Sequence, residues 1–261
     1  MSAIHIPSLA PEVLFSIGSI PVTNTVINAW LAIIIFLILG ICIKRSVTLK
    51  PGKLQNVAEY FVETLLGYFD QVTGDRKKTL QFFPIVGSVF FFILLSNWLG
   101  LLPGTGSITV GHNFLLRPAN TDLNLTIAMA MVAVLASHVF GFITIGFFAH
   151  FNKFIQILPF IKSFRHGPIA VFTAVVELGV GLIEIVSEFA KVLSLSLRLF
   201  GNIFAGEVLM TVMTSLMAAV VPAPFMLLEL LVGLIQASVF AMLTIVYMTV
   251  ATTAPHGVEQ H

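Results

Sequence analysis

Residues 168–222 read PIAVFTAVVELGVGLIEIVSEFAKVLSLSLRLFGNIFAGEVLMTVMTSLMAAVVP. No proline falls between Pro168 and Pro222, and the stretch is apolar almost throughout. A helix crosses the hydrocarbon of a bilayer in about 20 residues. A single straight crossing of this length would be far too long. Either the run is two helices with a break, or it is one long helix lying steeply tilted in the membrane. Gly179, Gly181, Gly201 and Gly206 permit bends without requiring one. The reading adopted is a tilted helix, a tight turn at the VPAP of 221–224 and a return helix over 225–251. This hairpin, 169–251, sets the fold class as an all-α membrane protein.

The rest of the chain agrees. Of its 261 residues 57% are hydrophobic and 10% charged, against about 25% charged in a soluble domain. Three further apolar runs, 26–43, 82–102 and 123–148, bring the expected membrane helices to about five. The whole chain is one membrane domain. Residues 1–25 hold only His5 and Glu12 as titratable side chains. They lack the basic region of a secretory signal, so 26–43 reads as a mature span. With one cysteine, Cys42, no internal disulfide can form. A net charge of +1 without a basic tail gives no reason to expect nucleic acid.

Orientation follows from the cations. Lys44, Arg45, Lys50, Lys53, Arg76, Lys77 and Lys78 lie between the first two spans, and Lys153, Lys162 and Arg165 between the third and fourth. The loop between the second and third spans holds only Arg117. Basic loops face the cytoplasm. The N-terminus and the 221–224 turn are therefore expected outside and the C-terminus inside. Between the basic clusters, KLQNVAEYFVETLLGYFDQV (53–72) repeats apolar residues at three- and four-residue spacing. It is an amphipathic helix, lying either on the membrane surface or against a partner's soluble part.

The two last segments carry Glu177, Glu184, Glu188, Lys191, Arg198, Glu207 and Glu229. A charge at the bilayer centre costs about 2.5–3.5 kcal/mol on insertion scales, so such residues are functional candidates by default. At 100° per residue, Glu177, Glu184, Glu188, Lys191 and Arg198 form one stripe, which Asn202 extends. Glu188 and Lys191, three apart, are placed to pair. Glu207 points to the opposite face from Arg198, about 13 Å further along the axis. On the return helix Glu229, Gln236 and Tyr247 share a face. Arginine keeps its proton in a protein. Two acidic zones separated by Arg198 are the layout of two offset half-channels, each open to one side. The plainer alternative is that the charges pair internally and staple a bundle. Metal binding is not expected, because no pair at helical ligand spacing has a third ligand nearby. His138, inside the third run, reads first as a satisfied interior histidine and only second as a relay.

At LSLSLRLFGNIFAGE (193–207) the chain resembles the subunit a family of F-type ATP synthases, the membrane stator facing a rotating c-ring. SNWLGLLPG (96–104), PANTDLNLT (118–126) and LIQASVFAMLTIVYM (234–248) extend the resemblance over 81–254. It implies that Arg198 is the family's essential arginine, with Asn202 and Glu207 the polar residues that follow it. It also implies that Gln236 faces that arginine from the last helix and that Glu184 belongs to the cytoplasmic half-channel, with Glu177 a further contributor. Some relatives carry histidine where this chain has Glu229, so the outer site here would hold two carboxylates, which cannot both ionise cheaply at close range. The implied partners are the c-ring, the peripheral-stalk b subunits, the other synthase subunits and membrane lipid. No cofactor is implied, and no covalent chemistry is expected of this chain. A bacterial inner membrane is the expected location. A sodium-coupled version of the same subunit and a secondary ion antiporter are the alternatives, although the paired halves of many transporters are not visible.

Overall fold

The computed structural model describes residues 8–48, 51–102, 109–110, 113–147, 150, 168–216 and 222–253. Among them are six α-helices: α1 (Asn24–Ser46), α2 (Lys53–Thr73), α3 (Arg76–Leu101), α4 (Leu123–Ile145), α5 (Pro168–Leu216) and α6 (Pro222–Thr252). The cations Lys50, Lys153, Lys162 and Arg165, used above for orientation, lie outside the described residues.

Four helices, α1, α3, α4 and the stretch Ala223–Thr252 of α6, are long and apolar enough to cross a membrane. The fifth expected crossing, α5, is not among them. It is continuous over 49 residues, a rise of about 74 Å, so of the two readings of 168–222 the unbroken helix is the one found. The 221–224 turn falls partly outside the described residues. Pro222, Ala223 and Pro224 already belong to the first turn of α6, where the missing proline N–H would have no helical partner anyway.

Some boundaries differ from expectation for local reasons. Helix α3 begins at Arg76 rather than 82, because the Asp75 side chain accepts the Lys77 N–H at 2.9 Å and caps it. One residue earlier Gly74, at φ 66°, closes α2 and donates its N–H to the Asp70 carbonyl at 2.9 Å. Arg76 then clamps the corner, donating to Glu63 and to Asp70 at 2.7 Å each.

Two short antiparallel hairpins were not expected: β1 (Val13–Ile17) with β2 (Ile20–Thr23), and β3 (Thr109–Val110) with β4 (Asn113–Phe114). The first turns on Gly18 at φ 64°, where glycine carries no steric penalty. Its signal was the short apolar VLFSI before a Gly-Ser pair.

The core lies where α3, α4, α5 and α6 meet. Phe82, Val86, Phe90 and Ile93 enter from α3 and Leu195, Leu199 and Ile203 from α5, both sets at helical spacing. Ala130 and Ala133 of α4 and Ala237 and Ala241 of α6 are fully buried. Small residues of this kind let membrane helices approach closely. Helix α2 joins the same core through Leu65 and Phe69. Its apolar side is thus partly taken by its own chain, while Val57 and Tyr68 remain exposed.

Helix α1 is mostly uncovered, with Ile33, Ile34, Leu37 and Ile38 outward. It is pinned at its N-terminal end. Asn28 donates to the carbonyls of Arg117 at 2.8 Å and Ser96 at 3.4 Å, and Thr25 donates to Asp122 at 3.2 Å.

Candidate functional site

Helices α5 and α6 meet through three polar contacts in reverse order. Lys191 lies over the Tyr247 ring at 5.2 Å, Asn202 donates to Gln236 at 2.7 Å, and Gly206 packs against Glu229. The helices are therefore antiparallel, and the Glu229, Gln236, Tyr247 face expected of α6 is the face turned to α5.

Leu195, Leu199 and Ile203 anchor α5 in the core. On its other side Ser194, Leu197, Arg198, Gly201, Asn202 and Ala205 are exposed. Arg198 stands in the middle of that strip, its Nη2 donating to the Ser194 hydroxyl one turn back at 3.3 Å. It does not pair with Glu207, as the spacing required. Nor is it bonded to Gln236, which the resemblance placed opposite it. Gln236 is 3% exposed and bonds Asn202 instead. Its Nε2 is left without a hydrogen-bond partner among the described residues, a spare donor beside Asn202, which lies one helical turn past Arg198.

The carboxylates Glu207 and Glu229 occupy two different settings. Glu207 is held by Arg117, with Nε 2.8 Å from Oε1 and Nη2 donating to Oε2 at 2.9 Å. Arg117 is itself tethered, its Nη1 donating to the Ala10 carbonyl at 3.3 Å and its Nη2 to that of Ser8 at 2.8 Å. Sequence reasoning used Arg117 only to count loop charges. Its signal was that it is the one cation between the second and third spans. Glu229 is 7% exposed and lies against the bare backbone of Gly206. A Cβ at Gly206 would fall on the Glu229 carboxyl, so the glycine next to Glu207 is the slot that admits Glu229.

A buried amide network backs this end of the molecule. Asn120 donates to Asn97 at 2.7 Å, Asn97 to the Gly233 carbonyl at 3.4 Å, and Trp98 to the Leu230 carbonyl at 3.1 Å. These residues belong to the SNWLG and PANTD stretches, whose side chains fasten α3 to α6.

At the other end Glu184 is half-buried on α5. Glu177 lies on the same helix, its side chain outside the described set. Glu188 and Lys191, placed to pair by their spacing, do so at 2.6 Å. His138 also approaches Glu188, at 3.5 Å, so it is an interior histidine with partners. No group of three metal-ligating side chains is assembled among the described residues.

A family model described as the ATP synthase A chain matches residues 26–249. A protein called ATP synthase subunit a from Moorella thermoacetica is 32% identical over 239 residues, 91% of this chain and 94% of that protein. One called ATP synthase subunit a, sodium ion specific, from Propionigenium modestum is 29% identical over 255 residues, 94% of this chain and 80% of that protein.

Proposed function

Because the chain belongs to the ATP synthase A chain family, and is thus an integral membrane protein of the synthase's membrane sector that serves ion transport and ATP synthesis, we propose that it is the non-catalytic stator which loads and unloads the acidic groups of a c-ring. The observation that carries this reading is Arg198: a permanent cation on the exposed strip of an otherwise apolar hairpin, whose one hydrogen bond among the described residues is to a neighbouring serine hydroxyl. A guanidinium has five N–H donors, and among the described residues one of Arg198's is engaged, which suits it to a group brought by the ring.

In this reading protons enter from outside past Glu207 and Glu229. They reach a carboxyl of the ring beside Arg198, with Asn202 and Gln236 supplying further hydrogen bonds. A fixed cation favours the ionised form of a nearby carboxylate, so the ring group gives up its proton on the side of the exit. The exit runs past Glu184, with Glu177 beyond it. Arg198 passes no proton on, which keeps the half-channels apart. Helix α5 lies steeply tilted along the ring, since its length exceeds the membrane's thickness more than twofold. The b subunits and the rest of the synthase are the remaining partners. The location is a bacterial inner membrane, with the N-terminus outside and the C-terminus inside.

The test is Arg198→Lys beside Arg198→Ala. Lysine keeps the charge but loses the planar fork and can deprotonate when buried. Arg198→Lys is expected to abolish ATP synthesis, and Arg198→Ala to let protons leak through vesicles stripped of the catalytic head. Substantial synthesis by Arg198→Lys would overturn the barrier role. A sodium-coupled version is the second reading, favoured by the sodium-specific relative. Synthesis that requires Na⁺ at fixed proton gradient would establish it.

A further inference from the structure

Away from Arg198, where α4, α5 and α6 converge, Ser137, His138, His150, Glu188, Lys191 and Tyr247 line a small cleft. His138 of α4 has a neighbour beyond each ring nitrogen, a charge contact at one and a hydrogen bond at the other. Nε2 lies 3.5 Å from Glu188 Oε2, and Nδ1 lies 3.2 Å from His150 Nε2. Glu188 is held in turn by Lys191 through its other oxygen at 2.6 Å. The atoms form a line: carboxylate, imidazole, imidazole. His150 stands five residues beyond the end of α4, and its N–H is fixed to the Gly146 carbonyl at 3.0 Å. Its ring occupies the space over Gly141, where a Cβ would strike it. Gly141 is three residues from His138, so one turn of α4 both carries the first histidine and makes room for the second.

Position gives the line a direction. Glu188 lies one turn nearer Arg198 than Glu184 does, about 15 Å from Arg198 along the axis. Tyr247 lines the same cleft as Glu188, under the Lys191 ammonium. His150 lies at the end of α4 that leads into the basic segment of Lys153, Lys162 and Arg165, the cytoplasmic side in the proposed orientation.

We propose that Glu188, His138 and His150 form a proton relay between the Arg198 zone and the cytoplasm, which makes the conducted ion a proton. This rests on the stator reading above. A proton reaching Glu188 passes to His138 Nε2. His138 releases the proton on Nδ1 to His150 Nε2, and His150 hands one on from its other nitrogen. No other bond is made or broken. Imidazole is suited to the step because it titrates near neutral pH and can hold a proton at either end. Na⁺ is not suited to this route. A hard cation prefers several oxygen ligands, whereas beyond the single Glu188 carboxylate, already held by the Lys191 ammonium, the line continues through imidazole nitrogens. The groups facing His138 are Glu188 and Lys191 from α5, Tyr247 from α6 and His150.

The experiment uses the complete synthase in inverted membrane vesicles, with ATP-driven acidification of the lumen as the readout. His138→Gln keeps hydrogen-bonding capacity and removes titration. The initial pumping rate is expected to fall about 10²-fold, the low side of what a positioned proton carrier contributes. Added imidazole should restore part of it, with the restored rate depending on the pKa of substituted imidazoles. A stapling role for His138 would show no such dependence, and that result overturns the relay. If His138→Gln does not assemble, His150→Gln is read in the same way. Normal proton pumping in the parent enzyme with unchanged rates and pH profiles in both variants overturns the relay alone. Pumping in the parent enzyme that stops without Na⁺ overturns the proton reading beneath it as well.

Discussion

Arg198 and Arg117 are both drawn from a membrane-embedded bundle, and the fold treats them in opposite ways. Arg117 is buried and engages Glu207, Ala10 and Ser8. Arg198 is exposed and, among the described residues, bonds Ser194 alone. The first is internal structure, and the second is available to another subunit. Removing one partner of a buried ion pair costs about 3–5 kcal/mol, because the other charge is left without compensation. Arg117→Gln should therefore lower the amount of assembled synthase in membranes, and Arg117→Gln with Glu207→Gln should recover part of it. Equal losses in the single and double variants would mean that Arg117 acts through its carbonyl contacts alone. Glu229 differs from Glu207 in lying against backbone rather than against a cation. Glu229→Gln should slow proton-driven ATP synthesis without loss of assembly, and Glu229→His should retain more activity, since histidine also titrates. Coupled rates in Glu229→Gln membranes that match the parent would take Glu229 off the path. Periodicity placed these carboxylates on the right faces. It could not provide Arg117, because residues 117 and 207 meet only through the fold.

At the scale of elements, glycine positions decide how closely α5 and α6 approach. Gly206→Ala should displace the Glu229 carboxyl and reduce coupled synthesis. Gly179→Ala, where an added methyl meets open space, should leave synthesis unchanged and favour the helix by up to about 1 kcal/mol. Loss of activity in both variants would mean that helix flexibility, and not the slot, is what matters. The helices were legible because a 3.6-residue period and a long apolar run each leave a signature in one stretch of chain. Helix α2 was legible in its period but not in its partner. Phe69 faces α3 and α6, and nothing within 53–72 names them. The start of α3 was missed because its first turns, RKKTLQ, are polar; the signal there is Asp75 as a cap, not hydropathy. The N-terminal hairpin was missed because a five-residue strand beside a strongly apolar helix contributes little to any windowed reading.

For the whole molecule, the charge asymmetry of the loops predicts that Val47, exposed just beyond α1, faces the cytoplasm. A single cysteine at Val47, in a Cys42→Ser background, should react with an impermeant reagent only from that side. Labelling from outside would invert the molecule and exchange the two half-channels. What the sequence could not supply at this scale is convergence. His138, His150 and Glu188 come from two helices and a connecting segment, and only packing brings them into line. Convergence also has a consequence at the outer end. Arg117 is held by the main-chain carbonyls of Ser8 and Ala10, and no side-chain substitution removes a carbonyl. Most point variants would leave these carbonyls in place, although a Ser8 variant would lose the Oγ bond to the Ala10 carbonyl at 2.6 Å; trimming the chain to residue 11, or anchoring a bulky fusion there, would disturb the Arg117–Glu207 pair directly. In this protein the leading segment is therefore working material, and an affinity handle belongs elsewhere.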